Sequence, residues 1–161
     1  MNPLLHFCQL IFNLNDRLFI NALEGITEDQ AKERQSDHNN PVNWIASHTV
    51  HARYLMLMFL GKPAENPYTS LFENFKAYDQ SLPYPTLAEI KSEWQKVSGL
   101  LHDALKAVTD EHLAEESPIK SPIGDFTNAG TLAFLAQHES YDIGQLGYLK
   151  KFFTKEGMKY N

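Results

Sequence analysis

Residues 133–153 read AFLAQHESYDIGQLGYLKKFF, and the reading of that stretch decides the fold. Its apolar residues recur every three to four positions, the period of an amphipathic helix and not of a strand. At about 100° per residue, Phe134, Leu135, Leu149, Phe152 and Phe153 fall on one face. His138, Asp142 and Gln145 fall on the same face. An imidazole, a carboxylate and an amide therefore interrupt the stripe expected to pack into a core. A buried carboxylate without a partner is costly or takes up a proton, so something must compensate Asp142.

Three further long helical patterns lie upstream, and no stretch alternates as a strand would. The first runs from about Pro3 to Leu23, with Phe7, Ile11, Leu14, Leu18 and Ala22 as its stripe and Gly25 as its stop. Thr27 and Gln30 then have the spacing of a capping box that opens a short helix. The second long helix takes Asn40 as N-cap and Pro41 as first helical residue, and runs to a stop at Gly61. Trp44, Ile45, His48, Ala52, Leu55 and Phe59 form its inward stripe, with a histidine again at the centre. The third follows a Thr86–Glu89 capping box; Leu87, Ile90, Trp94, Val97, Leu101, Leu105 and Val108 give it an uninterrupted apolar stripe, the signature of a structural wall. Thr109 caps a short turn around Glu111 to Ala114, and the fourth long helix extends from near Asn128 to about Phe153.

The expected architecture is an all-α four-helix bundle, one domain over residues 1–161. Its connections are long for an up-down bundle, whose loops are usually about 2–8 residues. Residues 62–85 hold four prolines with Tyr68, Phe72, Phe75, Tyr78 and Tyr84 among them, and residues 115–127 hold Pro118, Pro122 and Gly124. Such lengths imply crossovers between parallel helices, or loops that cover one end of the bundle. The aromatic connection is expected to pack over a helix end.

Composition excludes several functions. The chain has 161 residues and a net charge of −6, with no basic run to neutralise phosphates or to meet an anionic membrane surface. Nucleic acid and membrane are therefore not expected partners. Cys8 is the only cysteine, which rules out an intrachain disulfide and fits a reducing, cytoplasmic compartment; it is read as a small packed residue, not a nucleophile. The opening MNPLLHFCQLIFNLNDR lacks a basic start, and His6, Gln9 and Asn13 break its apolar run, unlike a signal peptide or membrane span.

Bundles build metal and ligand sites from inward side chains on facing helices. His138 and Asp142, at i and i+4, can converge on one point, and His48 can reach it from the second helix. Two imidazoles and one carboxylate suit zinc, iron, manganese or nickel as divalent ions and leave coordination positions open. The alternative is a buried imidazolium–carboxylate pair between His138 and Asp142, with His48 bonded to a backbone carbonyl. Gln145 would orient a ligand or touch substrate. His51 and Tyr141 are the nearest candidates for catalytic groups. His6, His38, His102 and His112 are read as surface residues.

The run NPVNWIASHTVHARYLMLMFLG, followed much later by AQHESYDIGQLGYLKKFF, resembles the DinB-like (DinB/YfiT) superfamily. The segment YPTLAEIKSEW and the helix order extend the resemblance over nearly the whole chain. The resemblance implies a four-helix bundle with long crossover connections. It also implies a three-histidine metal site, whose first two positions match His48 and His138 and whose third is Asp142 here. Gln145 stands within a GQLG that looks like the family's continuation. Carboxylate in place of imidazole lowers the positive charge of such a centre and with it the Lewis acidity. The activities implied are a thiol S-transferase, with a low-molecular-weight thiol as co-substrate, or a hydrolase, each acting on a small molecule. The alternative is a metal-free, non-enzymatic ligand-binding or oligomerising bundle. Bundles of this type commonly pair through helix faces, which gives a homodimer as the expected assembly.

Overall fold

The computed structural model describes residues 5–160. Its helices are α1 His6–Leu23, α2 Glu28–Lys32, α3 Val42–Phe59, α4 Thr69–Phe72, α5 Leu87–Ala107, α6 Asp110–Ala114 and α7 Asn128–Thr154. Among the described residues there is no strand, only an isolated bridge between Glu116 and Thr127. The expected start of the first helix at Pro3 lies outside the described residues. No helix among them is long and apolar enough to cross a membrane.

The local punctuation follows the sequence. Thr27 and Gln30 satisfy each other's backbone N–H groups at the start of α2, as do Thr86 and Glu89 at α5. Gly61, at φ +69°, ends α3: its N–H bonds the Met58 carbonyl and that of Lys62 bonds Leu57, the paired bonds of a left-handed C-terminal cap. One boundary moves. Pro41, not Asn40, is the N-cap of α3, and no side chain caps that end.

Contacts between named pairs give the topology. Asn15 meets Glu139 and Lys150 reaches the Glu24 carbonyl, so α1 and α7 run parallel. His48 meets Asp142 while Arg53 meets Glu139, so α3 and α7 run antiparallel. Tyr54 bonds Glu93, and Leu57 lies beside Leu100 and Ala104, so α3 and α5 run parallel. Ile20 lies beside Trp94 and Gln9 beside Leu105, so α1 and α5 run antiparallel. The four long helices therefore close a ring in the order α1, α7, α3, α5.

This order explains the connection lengths. Parallel α3 and α5 oblige residues 60–86 to travel back along a helix of 18 residues, about 27 Å. That segment is the one long crossover; residues 108–127 instead turn at the same end of the bundle. The aromatic connection buries Tyr68, Leu71 and Phe72 against the bundle but leaves Phe75 fully in solvent.

Three stripes need correction. On α1 the buried residues are Gln9, Phe12, Asn15, Leu18, Phe19, Ala22 and Leu23, whereas Phe7 is 76% exposed and Ile11 and Leu14 also face out. Apolar residues surround α1 almost completely, so period alone selects the wrong azimuth. On α7 Phe152 is exposed and Phe134 and Phe153 are half-buried, because the buried row runs through Leu132, Leu135, Glu139, Ile143 and Leu146. On α3 the stripe is too narrow: burial extends to Val50, Arg53, Tyr54 and Leu57, since α5, α7, α2 and α4 all pack on this helix.

The wall formed by α5 also carries polar work. Its apolar stripe is buried as expected, but Ser98 is buried beside it and accepts a hydrogen bond from Arg53. Arg53 is fully buried, stacks 3.6 Å above the Trp94 ring, and donates to Glu139, Asp16 and Ser98. His102 pairs with Asp16 and so belongs to this network, not to the open surface. His112 likewise is not free on the surface: its Nε2 donates to the Phe59 carbonyl and its Nδ1 lies 3.0 Å from the Glu115 carboxylate.

Candidate metal centre

The antiparallel α3–α7 seam brings His48 and Asp142 together across 94 residues of sequence. His48 Nδ1 lies 3.0 Å from Asp142 Oδ2. His138 Nε2, one turn before Asp142 on α7, lies 3.6 Å from the same oxygen. Gln145 donates its amide N–H to Asp142 Oδ1 across 3.1 Å. The carboxylate is thus held on one oxygen by Gln145, and its other oxygen faces both imidazoles. His138, Asp142 and Gln145 on α7 and His48 on α3, each placed on an inward face by helical spacing, form one cluster.

A fit to a metal can be tested on these distances. Ligand bonds of about 2.0–2.2 Å in a tetrahedral site put donor atoms about 3.4 Å apart. The separations of 3.0 and 3.6 Å bracket that edge. One donor atom from each of the three residues lies within 4.8 Å of the others. Asp142 has 6% of its side chain exposed, against 24% for His48 and 31% for His138. The carboxylate is the floor of the cluster and the imidazoles form its solvent side. The residues present fit a divalent transition metal.

Aromatic side chains set the imidazole planes. Trp44 stacks on His48 with ring planes 5° apart, and Phe134 stacks on His138 at 25°. Each aromatic residue precedes its histidine by four positions, one helical turn, and so lies directly against it. Phe72 from the crossover connection meets His48 edge-on and also touches His51. The connection therefore packs against the side of α3 at the cluster, not over a helix end as expected, because Phe72 seats on Trp44, His48 and His51. Trp44, Phe72 and Phe134 were not read as site residues. The W-x-x-x-H and F-x-x-x-H spacings were the available signal for two of them; Phe72 left none.

His51 and Tyr141 stand differently. His51 lies one turn along α3 from His48, with Asn66 2.8 Å from its Nδ1. Burial pushes the His51 imidazole down to about 4; the charge of nearby His48 adds to that shift and the Asn66 hydrogen bond opposes it. A neutral His51 that accepts from Asn66 at Nδ1 carries its proton on Nε2. In that tautomer it offers a donor, not a base. Tyr141 is 61% exposed and lines an adjacent cavity that Gln145 also lines. Burial raises the Cys8 thiol above its ordinary value, against a smaller backbone hydrogen-bond effect, so Cys8 is not an activated nucleophile.

The sequence model of the DinB superfamily matches residues 12–146, which covers all of α3 and α5, most of α1 and α7, and every residue of the cluster. None of the curated proteins compared with the chain matches it.

Proposed function

Since the chain belongs to the DinB superfamily, we propose that it is a metal-dependent enzyme acting on a small molecule, with His48, His138 and Asp142 as the metal-holding residues. The reading rests on one observation: three donor atoms from two antiparallel helices converge within 4.8 Å of one another, with both imidazoles at 3.0 and 3.6 Å from one carboxylate oxygen. When bound, such a metal lowers the pKa of a thiol or a water and so supplies a nucleophile at neutral pH. We favour transfer of a low-molecular-weight thiol over hydrolysis. A carboxylate in the ligand set weakens Lewis acidity, and a thiol with a pKa of about 8.5 needs far less help than a water at about 15.7. The chain's own residues supply positioning: Gln145 fixes Asp142, Trp44 and Phe134 fix the imidazole planes, and Phe72 shields the cluster from water.

Protein purified without an affinity tag is expected to hold zinc, nickel, iron or manganese near one equivalent by elemental analysis. Less than about a tenth of an equivalent, even after reloading with each ion, would reject the proposal. Asp142→Ala is expected to lower affinity by more than about 100-fold, since ligand loss exceeds the 10–100-fold typical of outer-shell changes.

A second reading has its own observation. Asp142 already accepts from Gln145 and pairs with His48, so it is satisfied without a metal. In that case the bundle is a non-enzymatic relative with a structural polar pair. Asp142→His separates the two: a large gain in metal affinity over a non-binding parent supports the second reading, and equal or weaker binding than a metal-loaded parent supports the first.

A further inference from the structure

Beside the cluster, along the last turns of α7, lies a cavity of about 400 Å³. That volume is within the range of small-molecule pockets. Ile45 and Leu149 form its inner wall, and Tyr141 and Tyr148 stand at its mouth. Between the two tyrosines is Gly144. A Cβ placed there would meet nothing within 4 Å, and its backbone is ordinary helix. Glycine in a helix interior is less favourable than alanine, so the gap exists at the expense of α7 and for no backbone reason.

The lining decides what would fit. Its surface is overwhelmingly apolar, and no lining residue carries a formal charge. A charged ligand entering it would lose water without gaining a counter-charge. The polar groups present are the carboxamides and the two tyrosine hydroxyls. Gln145 spends one amide N–H on Asp142, which leaves its second N–H and its amide oxygen. Gln35, on the opposite rim, has a buried amide nitrogen without a protein partner. Tyr141 and Tyr148, 61% and 66% exposed, offer aromatic faces at low conformational cost.

We propose that this cavity is a binding subsite for a neutral, mainly apolar small molecule with one hydrogen-bonding group, seated between Tyr141 and Tyr148. That its occupant is the substrate of the reaction rests on the function proposed above; the subsite itself does not. Gln145 links the two, because it lines the cavity and holds the Asp142 carboxylate.

The test uses a neutral probe, N-phenyl-1-naphthylamine, and its anionic counterpart, 1-anilinonaphthalene-8-sulfonate, titrated by fluorescence against the full chain. The neutral probe is expected to bind saturably at one site and at least tenfold more tightly than the anion. Gly144→Leu, which fills the gap and improves helix propensity, is expected to weaken the neutral probe at least tenfold, and Tyr148→Ser to weaken it severalfold. Both variants are expected to unfold cooperatively and to bind metal as the parent does. No saturable binding by the parent, equal binding of the two probes, or undiminished binding by folded Gly144→Leu and Tyr148→Ser would overturn the proposal. Metal content is read separately, so an empty cluster with intact probe binding rejects the enzyme reading alone, and the converse rejects the subsite alone.

Discussion

Helices α3 and α7 meet at two polar clusters within a turn of each other, and the two have opposite characters. At Arg53 and Glu139 both side chains are fully buried. The guanidinium donates to both Glu139 oxygens, to Asp16 and to Ser98, while Asn15 adds a further donor to Glu139. At His48, His138 and Asp142 the carboxylate is buried but a quarter to a third of each imidazole reaches solvent. The first cluster spends its donors inside the protein. The second keeps imidazole edges toward the outside. A closed polar network fixes how two helices register; an open one on the same helices is available to a ligand. The closed cluster holds α3 against α7, and so sets where His48 stands relative to Asp142.

The largest expected effect tests the closed cluster. Arg53→Ala or Glu139→Ala leaves a buried charge without its partner and is expected to destabilise the fold by about 3–5 kcal/mol, measured by urea unfolding. The double change Arg53→Met with Glu139→Leu removes both charges and should recover most of that loss. Single changes that cost less than about 1 kcal/mol would show that water enters the network and that the two clusters are alike.

A smaller effect tests the open cluster on the same scale. Asp142→Asn keeps an oxygen that accepts from His48 and is expected to cost about 1 kcal/mol or less in the same unfolding assay. The parent without added metal is the correct reference, since a bound ion stabilises by mass action. If Asp142→Asn destabilised as much as Arg53→Ala, the carboxylate would be a structural pair and the contrast between the clusters would collapse.

The two clusters also differ in how far the sequence displays them. His138, Asp142 and Gln145 are legible because one helix carries all three within two turns, and helical geometry fixes their common face. His48 needs the second helix, whose register against α7 no local pattern specifies; its place on the inward stripe of that helix makes it a candidate, and the family resemblance points to the same residue. The caps at Thr27, Thr86 and Gly61 are legible for the same reason as the α7 triplet, since each depends on residues within a turn. Arg53 and Glu139 do not read as core residues, because charged residues are rarely fully buried. A signal existed: Glu139 interrupts the row Leu132, Leu135, Ile143, Leu146, and Arg53 the row Ala46, Val50, Leu57. Opposite charges at the centres of two apolar rows are a pairing that periodicity alone reads as noise. The azimuth of α1 was illegible for a different reason. With Phe7, Leu10, Ile11, Phe12, Leu14, Leu18 and Phe19 spread around the helix, only the packing of α5 and α7 chooses which of them are covered.

The smallest effect concerns Asp16, where the closed network reaches the surface. Burial pushes the Asp16 carboxyl up, but the hydrogen bond from His102 and the charge and hydrogen bond of Arg53 outweigh it and leave the carboxyl below its ordinary value of 3.8. A carboxyl whose pKa is lowered by folding binds more protons in the unfolded chain, so its contribution to stability rises with pH. It is complete above about the unfolded value and is lost as pH falls through the lower folded value. Asp16→Asn removes the titrating group while Arg53 keeps Glu139 and Ser98. The parent should therefore melt above the variant at pH 5–7, and the gap should narrow as pH is taken below 3.8. Glu89, Glu111 and Asp125 also have lowered carboxyls, through backbone hydrogen bonds at helix starts and a turn, and they titrate in parent and variant alike. The difference between the two melting curves isolates Asp16. The gap should be modest, because Asp16 keeps 27% of its side chain in solvent, where water competes for its oxygens. A gap that stays constant from pH 7 down to pH 2 would mean that the network ends at Glu139 and Ser98, with Asp16 and His102 a solvated pair at its edge.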